Sequence, residues 1–224
     1  MNSIPKSIFD NIKLKSYLNS KIIKISKNSN GIFSLFSEKE EFKNFDYVLI
    51  CIPYSQSKEL SKEFINFTKM VNEPSYEPIH TVMLSYKNIN NINIKAGLNL
   101  HKDISFFMNQ NIKFNELSDD CWVLNMSSEY TNNNIDVDKA ALEKYAQSIF
   151  EKTFDIKKEI SFIKSHRWLY AQTKVSYNSI SKKNWISSKD NKIFLSGDWI
   201  LGKSLSDAWD AGEKLSHYIK ILSV

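Results

Sequence analysis

The sequence predicts an α+β fold of two lobes, one assembled from both chain ends and one from the middle. Three observations point there. Near the N-terminus, two strand-like segments flank a Gly-bearing turn and lead into an apolar run. The centre holds further strand-like segments and one amphipathic helix. The chain then returns to a short apolar strand and a closing helix. The implied boundaries are 1–74 with 173–224 for the first lobe and 75–172 for the second.

The elements follow in order. Residues 3–13 read as a short helix, with Pro5 where a first turn tolerates it. KIIKISKN (21–28) and GIFSLFSE (31–38) read as strands joined by Asn28-Ser29-Asn30-Gly31, a hairpin signal. FDYVLICIP (45–53) is a continuous apolar run, the pattern of a strand covered on both faces, stopped by Pro53. NEPSYEP (72–78) reads as a crossing between lobes. Residues 79–87, 104–111 and 121–128 read as strands of an antiparallel sheet, with an Asn-rich loop between the first two. Val137, Ala140, Ala141, Tyr145, Ile149 and Phe150 recur at helical spacing, with Asp136 as the expected N-cap. EISFIKSHRWLYAQ (159–172) reads as a strand leaving the sheet, and KIFLSGD (192–198) as a short buried one.

The net charge is +5, but the lysines are scattered among Asn and Ser, so no basic stripe suggests nucleic acid. No apolar run reaches the roughly 18–20 residues a membrane span needs, and the N-terminus lacks a signal-peptide core. A cytoplasmic location is expected. Cys51 and Cys121 sit in apolar surroundings and read as buried thiols without a disulfide. His80, His101 and His217 show no metal spacing, and no metal is expected. No nucleophile motif occurs, so no catalytic residue is assigned from pattern.

The most informative stretch is IFLSGDWILGKSLSDAWDAGEKLSHYI (193–219), a strand, a Gly197-Asp198 turn and a helix opened by Ser204, Ser206 and Asp207. Glycine permits close approach of a ligand to the backbone, a carboxylate accepts from sugar hydroxyls, and a helix N-terminus offers unpaired N–H groups. The same residues also make an ordinary turn and helix cap.

This stretch resembles the C-terminal flavin-binding segment of FAD-dependent amine-oxidase-type flavoproteins, most closely their renalase-like branch. MNSIPKSI, LNSKIIKI, FDYVLICIPYSQ and HRWLYAQT resemble further pieces of that family in the same order, so the likeness runs along essentially the whole chain. The resemblance implies an FAD-dependent oxidoreductase taking hydride from an amine or a dihydronicotinamide-like substrate. Gly197 and Asp198 would lie against the ribityl and pyrophosphate groups, and the backbone at Leu205, Ser206 and Ala208 against the pyrimidine edge. Ile22 would contact the adenosine, with Pro53 near the adenine and diphosphate. The first lobe would be an incomplete FAD-binding lobe and the second the substrate lobe, an antiparallel sheet with a covering helix.

The chain departs from that family in one large respect. Its five glycines, at 31, 97, 197, 202 and 212, form no G-x-G-x-x-G, the unit that binds the pyrophosphate. The expectation is a C-terminal portion whose N-terminal half is encoded separately, with FAD held weakly by this chain alone. The alternative is a non-catalytic remnant or interaction protein that pairs with another chain. Asp207 stands near where negative charge would build on the flavin and is expected to cap the helix instead. On the returning strand, Arg167, Trp168 and Tyr170 are substrate-lobe candidates, while alternation should turn one of His166 and Arg167 inward, with His166 structural. Trp199 is either core or part of an aromatic cage.

Overall fold

A computed structural model of the chain describes residues 3–12, 14–68, 72–89, 92–114 and 117–222. Its contacts group into two units, Met1–Val71 with Trp185–Ser196, and Asn72–Asn184 with Gly197–Val224.

The first unit opens with helix α1 (Ser3–Asn11) and a three-stranded antiparallel sheet of β1 (Ile22–Lys27), β2 (Phe33–Ser37) and β3 (Glu41–Phe45). The β1–β2 hairpin forms as expected. Asn28 Oδ1 accepts from the N–H groups of Asn30 and Ile32, both at 3.0 Å, and Gly31 takes φ +80°, where a Cβ is disfavoured. The apolar run at 45–53 does not form one strand. Phe45 ends β3, and only β4 (Val48–Ile50) follows before α2 (Tyr54–Ser61). β4 pairs in parallel with β11 (Ile193–Leu195), which pairs antiparallel with β10 (Ile186–Ser187), so β4 lies at the edge of the order β10-β11-β4. Val48 and Ile50 are buried, but Leu49 is 49 % exposed, so this strand is not covered on both faces. Cys51 is exposed and Cys121 half-buried, and both are free thiols, which corrects the expectation that both are buried.

In the second unit, five antiparallel strands stand in the order β6-β7-β8-β5-β9. They are β5 (Ser75–Tyr86), β6 (Ala96–His101), β7 (Ile104–Asn109), β8 (Asp120–Met126) and β9 (Ile160–Val175). β6 occupies what reads in sequence as an Asn-rich loop, and β5 begins inside the expected crossing. β5 accommodates Pro78, which has no N–H to donate, at an irregularity in its pairing with β9 between Glu77 and Ile79. Helix α3 (Ser128–Asn133) leads to α4 (Lys139–Phe154). The N-cap of α4 is Asp138, whose carboxylate accepts from Ala141 N at 3.0 Å, and Asp136 instead pairs with Arg167. Asp138 sits three residues before that N–H, the reach of a capping side chain, and Asp136 sits outside it.

One face of the sheet is the core. Val82, Leu84 and Tyr86 of β5 and Trp122, Leu124 and Met126 of β8 are buried with Leu142, Ala146 and Phe150 of α4. Trp122 and Phe150 rings stand 5.2 Å apart. Burial of each large side chain contributes about 1.5–3 kcal/mol. The other face carries half-buried Met83, Phe106, Met108 and Val123 and exposed Leu98 and Phe162, the former of these two 74 % exposed. Three further helices complete the unit: α5 (Tyr177–Ser181), α6 (Asp198–Leu201) and α7 (Leu205–Leu222).

Candidate functional site

The turn from Gly197 to Asp207 is fixed by its own side chains. Gly197 takes φ +152°, and a Cβ there would stand 2.7 Å from Nε1 of the buried Trp199. Only glycine fits. Asp198 Oδ1 accepts from Trp199 N at 2.8 Å, and its carbonyl accepts from Gly202 N at 3.0 Å, closing the single turn of α6. Gly202 has extended backbone, but a Cβ on it would stand 2.5 Å from the Asp207 carboxylate. That closeness lets one carboxylate oxygen, Asp207 Oδ2, accept from Lys203 N at 2.9 Å, Ser204 N at 2.8 Å and Ser204 Oγ at 2.6 Å. Ser204 Oγ in return accepts from Asp207 N at 3.1 Å. This is a reciprocal cap of Ser-x-x-acid spacing, with Ser204 rather than Ser206 as the cap residue. The Ser204 hydroxyl, followed by the backbone donors, holds the Asp207 carboxyl below its ordinary value.

The cap decides which backbone donors remain. Asp207 N is used by Ser204 Oγ and Ala208 N by Ser204 O at 3.2 Å. Leu205 N and Ser206 N have no hydrogen bond among the described residues, and both residues are exposed. Of the positions expected to present backbone N–H groups, two therefore do so and Ala208 does not. The carboxylate of Asp207 is turned into its own loop. Gly202 was not singled out in the sequence, because its role is a close approach that spacing does not reveal.

On β9, adjacent candidates separate. Arg167 turns toward the α4 side, where Nη1 donates to Ile135 O at 2.7 Å and to Asp136. Trp168 lies on the other side, 53 % exposed, with its ring 4.2 Å from that of His166. Tyr170 packs edge-on against Tyr76 at 5.2 Å. Alternation does turn one of the pair toward α4 to hydrogen-bond, and it is Arg167, while His166 lies on the other side with Trp168; both are exposed, since at the sheet edge no further described strand covers them. Trp199 is core, against Tyr177 at 6.4 Å. In the first unit, Ile22 begins β1 opposite Ser37, and Pro53 caps α2 with φ −52°. Among the described residues no group of three or more His, Cys, Asp or Glu is placed to hold a metal, and no helix is long and apolar enough to cross a membrane.

No protein-family model matches the chain. Solved structures do. An assigned protoporphyrinogen oxidase of Exiguobacterium sp. 255-15 superposes with a TM-score of 0.73 at 15% identity, over 98% of this chain and 51% of that one. Cyclohexylamine oxidase from Brevibacterium oxydans IH-35A gives 0.62 at 10%, over 92% and 49%. Putrescine oxidase bound to putrescine gives 0.68 at 10%, over 96% and 53%. The chain has the fold of about half of such an oxidase. It spans about half the length of the structures it matches.

Proposed function

We propose that this chain is the C-terminal portion of an FAD-dependent oxidoreductase of the amine-oxidase, renalase-like kind. It would supply one wall of the flavin site and the whole substrate lobe. The observation that carries this reading is the extent of the fold likeness, nearly all of this chain against half of each oxidase. The turn at 197–207 is compatible with the cofactor: two open N–H groups at Leu205 and Ser206, and an acidic side chain already satisfied by its own loop.

In this reading Gly197 and Asp198 hold the ribityl and pyrophosphate groups, Leu205 and Ser206 the pyrimidine edge, and Ile22 and Pro53 the adenosine side. The cofactor when bound supplies the hydride acceptor. The chain's residues orient and enclose: Leu205 N and Ser206 N offer dipoles to an electron-rich ring edge, and the apolar face of Met83, Phe106, Val123 and Phe162 keeps water from a substrate amine or dihydronicotinamide. Arg167 faces the α4 side, so Trp168 and Tyr170 remain as the substrate-lobe candidates on β9.

The reading requires a Gly-rich dinucleotide-binding unit, which these 224 residues do not contain, and we propose that a separate polypeptide supplies it. Edge strand β4, with Leu49 exposed, is where another strand has free backbone to pair. The test is coexpression with a candidate N-terminal half carrying G-x-G-x-x-G, followed by the visible flavin spectrum. Stoichiometric FAD in the complex and little on the chain alone is expected. Tight FAD on the isolated chain refutes the split arrangement. A stable complex without flavin favours the interaction-protein alternative.

A further inference from the structure

Strand pairing sets out the sheet face opposite α4 in transverse rows. Met83 of β5 stands between Lys164 of β9 and Val123 of β8, and Met108 of β7 follows Val123. The neighbouring row runs His166, Thr81, Asn125, Phe106, Leu98. Direct antiparallel partners hold their Cβ atoms about 4.5–5.5 Å apart, and residues two apart on a strand share a face at roughly 7 Å. The alternate residues of β9 point the other way. Ile163 packs on the core, Ser165 hydrogen-bonds Glu143 of α4, and Arg167 reaches Ile135 and Asp136. Lys164 and His166 therefore share the face opposite α4, with Met83 directly beside the lysine.

The charge on this face has one sign. Neither row contains an acidic residue. Lys164 is exposed and makes no ion pair or hydrogen bond among the described residues. His166, with its ring 4.2 Å from that of Trp168, makes no hydrogen bond among them either. Two acids beside the ends of β5 are already engaged. Asp119 accepts from Ser161 at 2.7 Å and Ser85 at 3.1 Å, and Glu77 accepts from Ser128 at 3.2 Å and pairs with Lys174 at 3.5 Å. Met83, Phe106, Met108 and Val123 are only half-buried, so each has apolar area left to give to a ligand.

We propose that this face takes an organic carboxylate with an apolar body and disfavours an amine of equal size. The carboxylate sits at Lys164 and the ring N–H of His166, and the body lies across Met83, Val123 and Met108. The row itself gives the order of these contacts, cation first and hydrocarbon after it. An ammonium group placed there meets a free cation and no free acid, whereas a carboxylate gains a partner without displacing an existing one. The two methionines adapt to the shape of the body. As a statement about substrate class this rests on the flavin reading, under which the same face encloses the substrate. The binding itself needs no flavin, because every residue it uses lies in the second unit.

The experiment titrates the 224-residue chain with 3-phenylpropionate, 3-phenylpropanol and 3-phenylpropylamine, which share a body and differ in charge. The methyl resonances of Met83 and Met108 are followed by ¹³C NMR. Saturable movement of both methyls is expected with the acid, with the amine about ten-fold weaker or worse and the alcohol between them. Lys164→Gln should weaken the acid by about five-fold and leave the alcohol within about two-fold. Lys164→Glu should reverse the order of acid and amine. Met108→Gln should weaken all three ligands alike. Lys139→Gln removes an equal charge at the start of α4, across the sheet, and should leave the acid within about two-fold. Methyls that do not saturate, an amine bound as tightly as the acid, an order unmoved by Lys164→Glu, affinities untouched by Met108→Gln, or a loss at Lys139→Gln equal to that at Lys164→Gln would each overturn the proposal. Flavin reconstitution is a separate readout. A chain that binds the acid in this way but gains no flavin with an N-terminal half upholds this binding and refutes the flavin reading.

Discussion

Removal of the Asp207 carboxylate probes the cap that holds the 197–207 turn. Asp207→Ala deprives Lys203 N, Ser204 N and Ser204 Oγ of one shared acceptor. All three donors lie in an exposed loop where water can replace part of the loss, so the cost is that of a cap and not of a buried charge, about 1–2 kcal/mol. For a chain of this size each kcal/mol shifts Tm by roughly 2–4 °C, giving a fall of about 2–8 °C by circular dichroism. The pH dependence has a definite sign. The folded carboxyl titrates below its ordinary value, so its contribution is complete above the unfolded aspartate value near ~3.9 and is lost as pH falls through the lower folded value. The gap between wild type and Asp207→Asn, which isolates the charge, should be constant from neutral pH down to about 5 and should close in more acidic solution. An Asp207→Ala protein melting within about 1 °C of wild type, or an Asn gap of undiminished size at the lowest pH where both fold, would refute the capping argument.

Other perturbations test separate links. Gly197→Ala must place a methyl against the buried Trp199 indole at φ +152°, and a loss of about 2–4 kcal/mol in chemical denaturation is expected. Trp122→Ala empties the centre of the aromatic cluster formed with Phe107, Phe150 and Phe154 and should cost about 3–5 kcal/mol. The Tyr145 hydroxyl donates to Asp103 Oδ2 at 2.6 Å, and chiefly for that reason its pKa is pushed up to about 12. Asp103→Asn should return it toward the ordinary tyrosine value near ~10 in an ultraviolet titration, with no change expected if the hydrogen bond is absent in solution. Leu49→Arg, at an exposed position of β4, should leave the isolated chain's melting nearly unchanged and abolish reconstitution of flavin with an N-terminal half.

How far the sequence discloses this molecule depends on whether a signal is local. The β1–β2 hairpin was legible because Asn28 and Gly31 satisfy the turn by themselves. The core helix was legible in position but not in its face, since Ala140, Ala141 and Tyr145 are exposed and Leu142, Ala146 and Phe150 are the buried residues; its cap was misplaced by two residues when two aspartates competed and Arg167, distant in sequence, took Asp136. The run at 45–53 misled for the opposite reason. Apolar continuity reports burial, yet Leu49 stands half exposed on a strand with a single neighbour. β6 was hidden because it follows an Asn-rich stretch and its pairing with β7, not a strand-like pattern of its own, makes it a strand. At the candidate site the Ser204–Asp207 spacing announced a cap, while Gly202 stayed silent, because a close approach and not a spacing defines it. The same distinction bears on function. If β4 is apolar beyond what its own unit buries, the surplus is either an evolutionary residue or a surface awaiting a strand, and only the second predicts that a single arginine at position 49 separates folding from flavin binding.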